Sequence, residues 1–326
     1  MSSQVNRRSF MKQSLAVSAG GALALNASQA AETSGSKVKV EPGSKTTVPQ
    51  GKIGNLTVSR MLLGGNLLTH YTHSRDLRYV YNLAAAYNTE EKMHETMALA
   101  EAHGINTLSI HNPPGIIEML QRYRLRHGGK MQWIVCPTAP VEPGMEKYTE
   151  DVKKLVDQGS EALYVWGVHS DALVAQDKVD FIRQAVEIAK DHGVPCGVGS
   201  HDLRAVVECE KRNVPNDFYI KTFHHHNYPS GPKAGELKGP YQEFPGYWCK
   251  DPAETIEVMK NVTKPWIAFK VMAAGAIAPK NAFQYVFENG ADHTLAGMFD
   301  FEIEEDVMIL NDVLKNLKGR TRPWRS

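Results

Sequence analysis

One junction recurs along this chain: an amphipathic helical run stops at a glycine, and a β-branched apolar run follows at once. It is read at "AEAHGINTLSI", "RHGGKMQWIVC", "VDQGSEALYVWGV", "KDHGVPCGVGS" and "FENGADHTLAG". Glycine suits the left-handed position that ends a helix. The run after it suits a strand covered on both faces, as parallel strands are in α/β folds. The pattern predicts strands near 61–66, 105–111, 131–137, 161–169, 195–201, 217–224, 265–271 and 292–298. Helices are predicted near 89–103, 115–127, 145–158, 178–192, 202–212, 252–262, 279–289 and 303–317. Eight strands alternating with eight helices read as a (β/α)8 TIM barrel over residues 51–326. An open, doubly wound sheet is the competitor, but "LLGGNLLTHYTH" lacks the G-x-G-x-x-G that usually follows its first strand.

Residues 1–30 do not belong to this pattern. "NRRSFMK" supplies a basic stretch, "SLAVSAGGALAL" a short apolar one, and "SQA" the small residues of a cleavage site. Together they read as a signal peptide. The adjacent Arg7 and Arg8 resemble the twin-arginine type, which implies export to the periplasm in folded form, often with a metal or cofactor already loaded. Residues 31–50 are polar and rich in Gly, Ser and Pro, and read as a flexible tether. No stretch approaches the ~20 apolar residues of a membrane span. The formal net charge is +1 with no basic block, so nothing points to nucleic acid. Cys136, Cys196, Cys209 and Cys249 form no C-x-x-C, which argues against a thiolate metal site.

"GNLTVSRMLLGGN" (Gly54 to Asn66) resembles the opening hairpin and first strand of the aldo/keto reductases. "HGINTLSI" and "YVWGVHSD" resemble that family's second and fourth strands, and the order of elements agrees over about residues 52–317. The resemblance implies a barrel with an N-terminal hairpin cap and a nicotinamide cofactor across its top. It also implies a catalytic Asp, Tyr, Lys and His, and most of that set is missing. Ser109 stands at the Asp position, "IHNPPG" holds no tyrosine, and Cys136 or Pro137 stands at the Lys position. Only His169 matches. The family's phosphate-binding region reads "GMFDFEIEEDV", whose acids favour a helix start and repel a phosphorylated cofactor, so NADP is not expected.

The thirteen histidines sort by position. His103, His127 and His192 precede glycines at helix ends, where imidazole can meet the last carbonyls. His94 reads as a solvated helix face and His293 as structural at the barrel's bottom. His111, His169, His201 and the triplet His224–His226 lie at carboxyl ends of strands, where barrel active sites assemble. A lysine facing the helix layer would be costly to bury, so Lys221 is expected to point into the barrel, with Phe223 and His225 two and four residues on. Several imidazoles converging there suit a divalent ion such as Zn, Mn, Co or Ni. The expected ligands are His169, His201 and His225, with His111. Hydrogen bonding to sugar hydroxyls, or a proton relay, are the readings without a metal.

Lys270 and Lys221 sit in predicted strands, where burial lowers a lysine's pKa and fits it to act as a base or to form a Schiff base. Two long loops, Asn66–Asn88 and Asn227–Pro252, carry His73, Arg75, Tyr228, Tyr247 and Trp248, candidates for contacting a sugar. An oligomer contact is the alternative for these aromatics. The expectation is an exported, metal-dependent enzyme acting next to a carbonyl on a carbohydrate or other polyhydroxylated small molecule, as a lyase, epimerase or isomerase. The alternatives are an NADP-dependent reductase and a non-catalytic sugar-binding protein.

Overall fold

Eight parallel strands close into a barrel in the computed structural model, which describes residues 38–244 and 246–326. The expected signal peptide and the start of the tether lie outside the described residues. A two-stranded hairpin comes first, β1 (Gln50–Ile53) and β2 (Leu56–Ser59). The barrel strands are β3 (Met61–Gly64), β4 (Thr107–His111), β5 (Gln132–Cys136), β6 (Ala162–Val165), β7 (Cys196–Ser200), β8 (Phe218–Thr222), β9 (Trp266–Phe269) and β10 (His293–Ala296). Each pairs with the next in chain order, and β10 returns to β3 through Thr294–Met61 and Leu295–Leu62. Every expected strand is present.

The helices are α1 (Tyr79–Tyr87), α2 (Glu90–Ala102), α3 (Ile116–His127), α4 (Glu146–Asp157), α5 (Gly167–Ala175), α6 (Val179–Asp191), α7 (Leu203–Lys211), α8 (Pro252–Asn261), α9 (Pro279–Glu288) and α10 (Asp300–Lys315). Their ends carry ordinary signals. Thr89, Asp202 and Asp251 accept amide protons in the first turns of α2, α7 and α8, and Gly128 takes the left-handed conformation after α3. Helices α1 and α5 were not expected. Helix α5 starts on Trp166 and Gly167 with no capping side chain, and its apolar run continues that of β6, so nothing in the sequence marks where the strand stops.

Two apolar layers follow from strand alternation. Leu62, Ile134, Ala162, Phe218, Ile220, Ile267 and Leu295 fill the barrel, and Ile53 and Val58 of the hairpin join them. Leu63, Leu108, Ile110, Leu163, Val198 and Tyr219 face outward into the layer packed with the helices. The second half of the expected tether belongs to the fold: Gly43 and Lys45 donate backbone hydrogen bonds to Glu101 and Ala102 at the end of α2, and Val38 and Val48 are buried. His94, expected on a solvated face, is buried with Nε2 3.1 Å from the Met119 carbonyl. His293 is structural as expected, held between the Ser59 carbonyl and Ser326 Oγ at 2.9 and 2.6 Å.

The end of the chain locks the bottom of the barrel. Asp292, fully buried, accepts from the amides of Trp266 (2.9 Å) and Arg325 (2.8 Å) and lies 3.1 Å from the buried Arg322 guanidinium. Removing one partner of a buried pair leaves the other charge uncompensated. Asp292→Ala is therefore expected to lower unfolding free energy by about 3–5 kcal/mol, read by urea denaturation. A change below ~1 kcal/mol would show that the tail contributes little to holding the barrel.

Candidate active site at the barrel mouth

Carboxyl ends of the strands open on a cavity at the barrel mouth. Its wall holds Asn66 after β3, His111 at the end of β4, Trp166 after β6, Ser200 and His201 at the end of β7, and Phe269 and Lys270 at the end of β9. The long loops add Tyr71, His73, Tyr241 and Glu243. A mouth so placed, with converging polar groups between aromatic faces, is where barrel chemistry is found.

Lys270 is the most perturbed base in it. Burial drives its pKa down to about 7, against the opposing pull of Glu243 and Asp171. Its Nζ lies 5.2 Å from the ring centre of Trp248 and 5.5 Å from that of Phe269. The residue also takes a left-handed backbone, φ 55°. Such a conformation is uncommon for a side chain of this size, and it occurs where β9 ends and the chain turns into the loop before α9.

Two imidazole–carboxylate pairs flank this amine. His201 Nδ1 is 2.7 Å from Asp171 Oδ2. Asp171 already accepts from the backbone amides of His201 and Asp202, so the imidazole donates its Nδ1–H and keeps Nε2 free. Burial pushes His201 down to about 4 despite Asp171, leaving it neutral at pH 7. On the other side, His73 Nδ1 lies 2.8 Å from Glu243 Oε1, and Trp248 Nε1 donates to the same oxygen at 3.2 Å. Burial alone would raise the Glu243 carboxyl, but His73, Lys270 and Trp248 outweigh it and hold it below the usual range. His111 is brought down to about 4, chiefly by burial, and stacks parallel to Trp166 at 6.3 Å.

The expected site residues divide. Lys270, His201, His111 and His73 meet in the cavity; Trp248 is fully buried beside it. His169 is not at a strand end. It lies in the first turn of α5, edge-on to Trp166, and does not line the cavity. In β6 it is Tyr164 that faces inward, and Val165 faces the helix layer. Lys221 points outward with Tyr219 and Phe223, not into the barrel. Its ammonium is satisfied there by the Thr222 carbonyl and hydroxyl at 2.8 and 3.2 Å, which removes the cost that argued for an inward direction. His225 packs against Tyr285, ring centres 5.1 Å apart, away from the cavity.

The histidine triplet braces a loop. His224 Nε2 accepts from the Trp248 amide at 3.0 Å, and His226 Nε2 is 2.7 Å from the Cys249 carbonyl. Tyr247 and Tyr228 serve the same loop: the Tyr247 hydroxyl binds the Gly239 backbone, and the Tyr228 hydroxyl donates to the Gly246 carbonyl at 2.7 Å. Arg75 clasps the two loops together by donating to Ser230 Oγ. These three hold the loops, and none of them lines the cavity.

The expected metal does not fit. Among the described residues no group of three or more His, Cys, Asp or Glu side chains is placed to hold an ion. Nδ1 of His201 is taken by Asp171, and His169 and His225 face elsewhere. Asp171 and Glu243 were missed in the sequence. Asp171 follows His169 by two residues, but it is joined to His201 only by the fold.

Solved structures share the architecture at low identity. A Pseudomonas aeruginosa protein assigned to the aldo-keto reductases superposes with a TM-score of 0.55 and 14% identity, covering 86% of this chain and 99% of its own. Apo Gox0644 superposes with a TM-score of 0.53 and 9% identity, covering 85% of this chain and 96% of its own. No protein-family model and no curated protein sequence matches the chain. The likeness establishes the (β/α)8 fold and leaves the chemistry to be read from the site.

Burying the Lys270 amine has a signed effect on stability. Below pH ~7 the folded state carries the full penalty of a buried charge; it shrinks as pH rises toward lysine's ordinary value near 10.4 and vanishes above it. Lys270→Met is expected to raise the melting temperature at pH 6–7, with the gain fading by pH ~10. A pH-independent difference would contradict the lowered pKa. Extended dialysis against a chelator is expected to leave the wild-type melting temperature unchanged; a stoichiometric metal whose removal lowers it would restore a metal site.

Proposed function

We propose that this protein is an enzyme acting next to the carbonyl of a polyhydroxylated small molecule, with Lys270 as its working amine and lyase or isomerase chemistry as the outcome. One observation carries the reading: a partly buried lysine with a pKa brought to about 7, at the mouth of a barrel, between two imidazole–carboxylate pairs. Near neutral pH a large fraction of that amine is unprotonated and nucleophilic. Attack of Nζ on a carbonyl carbon forms a C–N bond. The carbonyl oxygen leaves as water, taking one proton from the amine and one from a general acid. The resulting protonated imine draws electrons from the adjacent C–H or C–C bond, which is the step that lyases and isomerases need.

His201 is suited to receive the released proton. It is neutral, its Nε2 is free, and Asp171 fixes its ring and stabilises the charge it acquires. Glu243 with His73 forms the matching pair beside the amine. The faces of Tyr71, Trp166 and Tyr241, with the buried and unpartnered Ser200 hydroxyl, suit a sugar-like substrate with apolar faces and several hydroxyls. Arg7 and Arg8 support export of the folded protein to the periplasm, where such a substrate would be met.

Incubation with a panel of aldoses and ketoses in D2O, followed by proton NMR, reads both exchange beside the carbonyl and new products. Wild-type activity is expected to rise about tenfold per pH unit up to pH ~7 and then level off, since the free amine is the active form. Lys270→Met is expected to lose about 10³-fold or more. Full activity in that variant would overturn the proposal.

A further inference from the structure

The polar cavity has a neighbour. A second chamber adjoins it, and the two share Asn66, His73, Tyr164, Phe269 and Lys270 along their common wall. Their linings differ in kind. The first carries His111, His201, Glu243 and Tyr241. The second is dominated by Leu67, Val80, Trp248, Val271, Met272 and Phe299, and the strands contribute Gly64, Ala296 and Gly297, which leave its floor open. Glu302 is its one acid, and it is held by the Phe299 amide at 2.8 Å. Lys270 stands where the polar and apolar halves meet.

We infer that the substrate is amphipathic: a hydroxylated part lies in the His201–Tyr241 half, an aryl or alkyl part in the Leu67–Met272 half, and the reacting carbonyl between them at Lys270. This rests on Lys270 being the working amine. Water is displaced from an apolar chamber with gain only by an apolar group, so a purely hydroxylated ligand leaves the second chamber unused. A substrate divided in this way is also held with its carbonyl in register, because neither end is well solvated in the other's half.

Reductive trapping tests it with two probes, glyceraldehyde and hydrocinnamaldehyde, each with cyanoborohydride, the site and extent of labelling read by peptide mass spectrometry. Each aldehyde condenses with Nζ, losing water, and hydride from the reagent fixes the imine as a secondary amine. Lys270 is expected to be labelled by both. The atoms nearest a Cβ built on Gly297 are Leu67 side-chain carbons and the Gly64 oxygen at ordinary contact distances of 3.7–3.9 Å, so Gly297→Phe adds a ring at the chamber wall. That variant is expected to lower the ratio of hydrocinnamaldehyde to glyceraldehyde labelling by about tenfold or more. In the wild type, hydrocinnamyl alcohol is expected to protect Lys270 from hydrocinnamaldehyde, and glycerol is not.

An unchanged ratio together with no protection by the alcohol, while Lys270 still labels, would overturn the amphipathic substrate alone. Failure of Lys270 to label with either aldehyde would overturn the amine reading. Calorimetric binding of the alcohol to Lys270→Met, abolished by adding Gly297→Phe, would then show the chamber to be an apolar subsite independently of that reading. Tight NADPH binding that competes with the alcohol would assign the chamber to a nucleotide and overturn the inference.

Discussion

In a closed sheet of eight parallel strands, backbone donors and acceptors are spent on neighbours all the way round, and helices cover the outer face. The interior is filled by side chains such as Leu62, Ile134 and Ile267, so it holds no ligand. Chemistry is then confined to the rim, where strand ends project side chains that no longer need to pack. Lys270, His201 and His111 are each at or one residue beyond such an end. Closure also fixes their separation, because strand positions around the ring cannot adjust independently.

That constraint explains how an amine keeps a lowered pKa without being isolated. Lys270 lies near two carboxylates, which favour its ammonium form, yet burial beside Trp248 and Phe269 prevails. Each acid is already engaged, Asp171 by His201 and two amides, Glu243 by His73 and Trp248. Neither is free to swing in and form a direct ion pair. The long loops matter for the same reason. Arg75 and Ser230 join them, and the triplet His224–His226 fastens the second loop to β8 and to Trp248. The imidazole that holds the Trp248 backbone in place over the lysine is His224, the neighbour of the expected ligand His225.

Much of the fold was legible because the signals were local. Glycine after an amphipathic run, followed by a β-branched stretch, located five of the eight barrel strands, and apolar runs in alternation with helical ones located the rest. The rim histidines were legible only as a class. Whether His111 or His169 reaches the cavity depends on where a strand gives way to a helix, and "YVWGVHSDA" carries no capping residue to show it. The direction of Lys221 was misjudged on desolvation, since its own neighbour Thr222 supplies the acceptors. Asp171 and Glu243 were invisible for a different reason. Their partners lie thirty and 170 residues away in the chain, and only the completed barrel introduces them.

The pairing of β10 with β3 draws together the two ends of the described chain, and the tail that secures it through Asp292 comes later still. A seam of this kind raises contact order, so ring closure is a late event in folding and stays exposed to solvent until the last strand arrives. Until then β3 and β9 would each offer an unpaired edge, the form of strand most open to mispairing with another chain. The arginines at 320 and 322 thus act as a latch whose timing, as much as its strength, decides how much newly made chain reaches the folded state.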